Sequence, residues 1–188
     1  MLRLAYRLMK SLPNILTLLR IGLIPIVVIS FYIDTPLWRW IAVIAFSSAC
    51  LTDFLDGYLA RLLSQTTPLG QFLDPVADKL LVATTLLYLA GFDKISRESI
   101  FAAAIILCRE ILISGLREHL SALKINLPVS RLAKWKTFIQ MAAIGLLLLS
   151  DASYAGFCRD MGEWLLWASA VLTVVTAVDY GRRTVKYF

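Results

Sequence analysis

A single histidine, His119, and three cysteines with no recurrent spacing, Cys50, Cys108 and Cys158, are all that this chain offers as soft metal ligands. A lone imidazole excludes a histidine-based metal centre, and the scattered cysteines exclude both a zinc motif and a disulfide framework. They fall mostly inside apolar stretches and are therefore expected to be buried structural thiols. Charge is scarce too: 17% of the 188 residues are charged and 59% are hydrophobic, with a mean hydropathy of +0.74. A soluble domain is rarely more than about half apolar, so this composition points to a membrane protein. Low-complexity tracts and soluble linkers are missing, and the connections between apolar stretches are too short to hold a second domain.

A bilayer core of about 30 Å needs roughly 20 apolar residues per helix. Six segments qualify: Leu12–Tyr32, Leu37–Leu59, Leu69–Leu89, Ser99–Leu116, Leu132–Leu149 and Met161–Val178. They predict an all-α integral membrane protein, a six-transmembrane-helix bundle forming one domain over residues 1–188. Residues 1–10 carry Arg3, Arg7 and Lys10 between apolar neighbours, which predicts a short amphipathic helix on the anionic inner leaflet. A signal peptide fits less well, because the following apolar stretch is long, contains Pro25 and lacks a small-residue cleavage site. Asp34-Thr35-Pro36 reads as an outer turn, residues 64–68 as a polar inner loop, and Trp38, Trp40, Trp164 and Trp167 as an interfacial aromatic belt.

The net charge of +6 could suggest nucleic acid, but its distribution fits a membrane instead. With the N-terminus placed inside, 13 of the 19 Lys and Arg residues fall on inner flanks. Only Arg39, Lys94, Arg97 and Arg159 fall outside, while Lys79 and Arg109 lie within segments. This asymmetry predicts cytoplasmic termini.

Against that background, four carboxylates occur within 26 residues, in the pattern D-x2-D-G-x2-A-R-x8-G-x3-D-x3-D from Asp53 to Asp78. Ionisable groups at membrane depth are costly and mark functional sites, and clustered carboxylates need a cation to stay ionised together. At about 100° per helical residue, Asp53, Asp56, Gly57, Ala60 and Arg61 share one face of the second helix. Gly70, Asp74 and Asp78 share one face of the third, provided that helix starts near Gly70 and carries Pro75 in its first turns. The other reading makes Asp74 an N-cap followed by proline. Two such helices, antiparallel across a short inner loop, aim four carboxylates at one point, and the small residues permit close approach. Carboxylates without thiolate or imidazole select a hard cation, Mg²⁺ or Mn²⁺, and four can hold two ions. The bland alternative is a set of helix-end aspartates paired with Arg61 and nearby lysines.

At every fixed position the Asp53–Asp78 run resembles the signature of the CDP-alcohol phosphotransferases. The resemblance implies a six-helix membrane enzyme, usually a homodimer, with a dinuclear metal centre at the cytoplasmic interface, which moves a phosphatidyl or phosphoalcohol group from a CDP-linked donor to an alcohol and releases CMP. It further implies that Asp53, Asp56 and Asp74 are metal ligands, Asp53 and Asp74 bridging. Asp78 would ligate the second ion and act as general base. Gly57, Ala60, Arg61, Thr67 and Gly70 would frame the cytidine diphosphate of the donor, with Asn14 and Thr17 contributing. Residues 13–20, 72–79, Arg109-Glu110, residues 116–118, 134–137 and Gln140 are similar to one branch of the family, the bacterial phosphatidylglycerophosphate synthases. The last helix carries no motif.

The acceptor is suggested by charge. Arg109, Arg117, Arg131, Lys134 and Lys136 form a second constellation, and Arg109 lies about two turns inside its segment, where a guanidinium needs a partner or a wet cavity. Arg and Lys together suit a phosphate, so sn-glycerol 3-phosphate is the expected acceptor of the phosphatidyl group of CDP-diacylglycerol. Lys134 and Lys136, about 200° apart on a helix, could also be ordinary positive flanks that snorkel to headgroups. Cardiolipin or phosphatidylinositol phosphate synthesis is the alternative within the family. A transporter or cation pathway is the alternative outside it, disfavoured by the lack of an inverted repeat.

Overall fold

The computed structural model describes residues 2–63, 68–123 and 131–184, though not the side chains of 2–14, 54, 56–63, 68–72, 122 and 131. Among the described residues the only regular structure is α-helix. The helices are α1 Leu2–Ile33, α2 Pro36–Leu63, α3 Pro68–Gly91, α4 Arg97–Ala122, α5 Arg131–Ser153 and α6 Gly156–Thr184. Each of the six apolar segments lies inside one of them. Four described stretches are long and apolar enough to cross a membrane: Ile15–Ile33, Arg97–Ser121, Leu132–Ser153 and Gly156–Thr184.

Two local expectations meet the structure differently. α1 runs unbroken from Leu2, so residues 2–10 are not a separate helix. Continuity has a physical advantage, since a break would leave backbone N–H and C=O groups to be capped. α3 carries Pro75 inside it, which puts Asp74 and Asp78 on one regular helix and sets aside the reading of Asp74 as an N-cap. The turn at Asp34 is confirmed, with Asp34 in the left-handed region (φ 46°) and accepting from Arg39 Nε at 2.8 Å. The polar inner loop at 64–67 lies outside the described residues.

The chain divides into two compact units, Met1–Tyr88 and Leu89–Phe188. In the first, α1 buries Thr17, Arg20, Ile24, Val27 and Phe31, spaced by threes and fours as one helical stripe requires. It packs on α2, whose Ala42, Ala45 and Ala49 are buried beside Phe46 and let the backbones approach. α1 and α3 run parallel. Thr17 meets Asp74 and Phe31 stacks on Tyr88 at 5.8 Å, both at an offset of 57 residues.

In the second unit α6 packs on both α4 and α5. Gly162 lies close against α5, since a Cβ there would lie 2.9 Å from Leu147 Cγ. α4 starts at the Ser96 N-cap, and Glu163 ties it to α6 by accepting from Ser96 N–H (2.9 Å), Ser96 Oγ (2.5 Å) and Ser99 Oγ (2.7 Å). Large apolar side chains such as Phe101, Ile111, Phe138, Trp164 and Val171 face outward, which suits lipid and not water. The cysteines correct an expectation: none is buried, and Cys108 is exposed on α4. A thiol is apolar enough to face a hydrocarbon solvent, so an apolar sequence context did not require an interior place.

Candidate active site

The buried stripe of α1 opens with two polar residues, and these organise the aspartates of the first unit. Arg20, 0% exposed, reaches across to α2 and holds Asp53 Oδ1 at 2.6 Å. One turn earlier Thr17, also fully buried, donates to Asp74 Oδ1 of α3 at 2.5 Å. Because Thr17 and Arg20 sit on adjacent turns of one face, they bring Asp53 and Asp74 to neighbouring levels of the unit. Asp78 follows one turn after Asp74 and, like Asp53 and Arg20, lies within electrostatic reach of Cys50. Three of the four signature aspartates therefore gather around one end of the first unit.

Among the described residues, no three carboxylate, thiol or imidazole groups come close enough to hold one ion. The donor chemistry nonetheless suits a hard divalent cation: carboxylate oxygens, partly accessible, joined by a hydroxyl. In this arrangement Arg20 supplies positive charge to Asp53.

Several signature positions cannot be followed to their side chains. Asn14, Asp56, Gly57, Ala60, Arg61 and Gly70 lie in helices, but their side chains, and that of Arg131, are outside the described set, as is Thr67 altogether. Thr17, expected beside the donor nucleotide, donates to Asp74.

In the second unit Arg109 finds the partner its depth demanded. Its Nη2 donates to Thr176 Oγ1 at 2.9 Å, and its Nη1 is 3.5 Å from Glu110 Oε1. Lys136 Nζ binds the same Glu110 oxygen. Lys136 is buried at 3% exposure while Lys134 is exposed, which settles which lysine faces inward. Arg117 is exposed and lies over the Tyr180 ring, 5.9 Å from its centre. Arg109 and Lys136 thus converge on one carboxylate.

Sequence reasoning missed Arg20, Glu110 and Thr176. By sequence Arg20 falls among the inner positive flanks, although an arginine three residues after Thr17 in an apolar stripe carries the same depth signal as Arg109. Glu110 has no role that its sequence position alone defines. Nothing in the pattern of α6 distinguishes Thr176 from the other hydroxyls of that helix.

The chain matches the family model for CDP-alcohol phosphatidyltransferase over residues 10–175. It is 43% identical to a CDP-diacylglycerol–glycerol-3-phosphate 3-phosphatidyltransferase from Rickettsia felis, over 97% of this chain and 99% of that one. Proteins of the same name from Cereibacter sphaeroides and Haemophilus influenzae are similar at 37% and 40% identity. Those matches cover 94% and 90% of this chain and 96% and 91% of the relatives.

Proposed function

The chain belongs to the CDP-alcohol phosphatidyltransferase family, and from that membership we infer that it transfers a phosphatidyl group from CDP-diacylglycerol to sn-glycerol 3-phosphate, giving phosphatidylglycerophosphate and CMP. The observation that carries this reading is the near-full-length likeness to relatives named for that reaction. The gathering of Asp53 and Asp74 by α1 supports it from the structure.

In this reading residues 1–188 act as one membrane domain and all six helices span the bilayer, with the basic start of α1 resting among inner-leaflet headgroups. Charge asymmetry supports cytoplasmic termini and a cytoplasmic active site in a bacterial inner membrane. Two copies form the working unit.

Asp53, Asp56, Asp74 and Asp78 would hold two Mg²⁺ or Mn²⁺ ions, whose chemistry when bound is to neutralise the charge of the pyrophosphate and of departing CMP. The chain's own residues supply the rest. Gly57, Ala60 and Gly70 leave room for the nucleotide, and Arg61, Asn14 and Thr67 contribute polar contacts. Thr17 and Arg20 fix Asp74 and Asp53 from behind. Asp78 takes the proton of the acceptor's 1-hydroxyl as its oxygen bonds to the lipid-side phosphorus. The bond from that phosphorus to the bridging oxygen breaks, and its electron pair leaves with CMP. Arg109 and Lys136, with Arg117 and Arg131, hold the acceptor's phosphate, and the exposed Lys134 adds only a screened attraction at the edge of the set. Most of the catalysis is positioning and charge stabilisation, as in phosphoryl transfer generally.

Purified protein given CDP-diacylglycerol, glycerol 3-phosphate and Mg²⁺ is expected to release CMP, and Asp78→Asn to abolish the release. CMP release with free serine or inositol in place of glycerol 3-phosphate would overturn the acceptor.

A further inference from the structure

Thr176 lies on the helix that carries no motif, yet it touches the most deeply placed cation of the acceptor constellation. Its oxygen lies 2.8 Å from Leu172 O and 3.0 Å from Thr173 O, so its proton is spent on the carbonyls of its own helix. The oxygen is left purely as an acceptor, and Arg109 Nη2 occupies it at 2.9 Å. The contact is sheltered, with Thr176 4% exposed and the Arg109 side chain 12%.

The position of this hydroxyl is set by the pairing of two whole helices. Ser96 with Glu163 and Arg109 with Thr176 share an offset of 67 residues, so α4 and α6 keep register over roughly 20 Å. The Glu163 tie at one end thereby determines what Arg109 meets at the other. The guanidinium is held by Thr176 at Nη2 and drawn by Glu110 at Nη1, which fixes its plane. Its Nε–H, buried, has no acceptor among the described residues. A buried donor held in a fixed direction without a partner is costly unless a ligand completes it.

We propose that Thr176 is a positioning residue for acceptor recognition: it fixes the plane of Arg109 so that the Nε–H edge is presented to the phosphate of the acceptor. This rests on the reading of Arg109 as a phosphate ligand. Thr176 itself touches no substrate.

The test uses full-length protein in lipid nanodiscs, with KM measured separately for glycerol 3-phosphate and CDP-diacylglycerol. Thr176→Val keeps shape and burial and removes the acceptor oxygen, and Thr176→Ser keeps the oxygen. Thr176→Val is expected to raise KM for glycerol 3-phosphate about tenfold, the scale of a hydrogen bond to a charged group, with KM for CDP-diacylglycerol unchanged. Thr176→Ser should stay near wild type. Arg109→Lys is the control and should raise the same KM at least as much. If Arg109→Lys does so and Thr176→Val does not, Thr176 does not position Arg109, and the phosphate reading stands. If Arg109→Lys leaves that KM unchanged, the phosphate reading fails and takes this proposal with it. A loss spread equally over both substrates and not restored by serine would show a packing role and overturn the proposal.

Discussion

Arg20 and Asp53 form an ion pair at 2.6 Å whose two ends lie in different environments: the guanidinium is 1% exposed and the carboxylate 45%. Charge buried in an apolar stripe depends on its partner, whereas a half-exposed carboxylate still has water. Asp53→Asn is therefore expected to destabilise the metal-free protein more than the same change made alongside Arg20→Met, which returns the stripe to hydrocarbon. Solvent at Asp53 screens the pair, so the coupling should be about 1 kcal/mol and not the 3–5 of a fully buried pair. A double-mutant cycle read by thermal unfolding measures it, and additive single effects would reject the dependence.

Asp53 also belongs to the set assigned to divalent cations, and the compensation by Arg20 bears on metal loading. Mg²⁺ added to metal-free protein should raise the unfolding temperature with saturation, since a ligand that binds only the folded state stabilises it. EDTA should stop CMP release and excess Mg²⁺ should restore it, while Asp74→Asn should flatten the thermal response. An unfolding temperature indifferent to Mg²⁺, with release unaffected by EDTA, would remove the metal from the mechanism.

The six helices were legible because apolar length is written plainly in sequence, as was the face shared by Asp74 and Asp78. What stayed hidden depends on contacts between distant segments. Helical spacing shows that Thr17 and Arg20 lie one turn apart, but not that Asp74 and Asp53 stand opposite them. Arg109 revealed itself by depth alone, since a guanidinium in hydrocarbon demands an explanation. Thr176 could not, because membrane helices carry many hydroxyls that bond back to their own carbonyls, as Thr85 does to Leu81. Cys108 misled for a related reason: an apolar segment has a lipid side as well as an interior.

Lys134 and Lys136 were indistinguishable as positive flanks, and burial separates them. Lys136 is enclosed and bound to Glu110, while Lys134 is exposed. Lys134→Ala should leave KM for glycerol 3-phosphate within about twofold of wild type, because an exposed cation is screened. Lys136→Met removes the closer of Glu110's two cations together with the enclosed charge that would meet the phosphate, and should raise that KM at least tenfold, about the scale of a hydrogen bond to a charged group. Adding Glu110→Gln to Lys136→Met should recover stability but not acceptor affinity, separating the structural demand of the pair from phosphate binding. Equal effects at the two lysines would contradict the assignment.

Gly162 and Leu147 determine how closely α6 lies on α5. A methyl group at 162 would sit 2.9 Å from Leu147 Cγ, 3.0 Å from Cδ2 and 3.2 Å from the Leu147 backbone nitrogen. The side chain could swing aside but the backbone nitrogen could not, so Gly162→Ala must push the helices apart. Such overpacking costs about 1–3 kcal/mol, and a shift of roughly 2–4 °C per kcal/mol in unfolding temperature is expected for a chain of this size. Leu147→Ala in the same protein should recover only part of the loss, since it clears the side-chain clash and leaves the backbone contact. The same spreading should weaken the tie between Glu163, the next residue, and Ser96. Acceptor KM should then rise in Gly162→Ala, because the tie holds the α4–α6 register that seats Thr176 beneath Arg109. A destabilised protein with unaltered acceptor KM would show that Arg109 is placed independently of the α5–α6 contact.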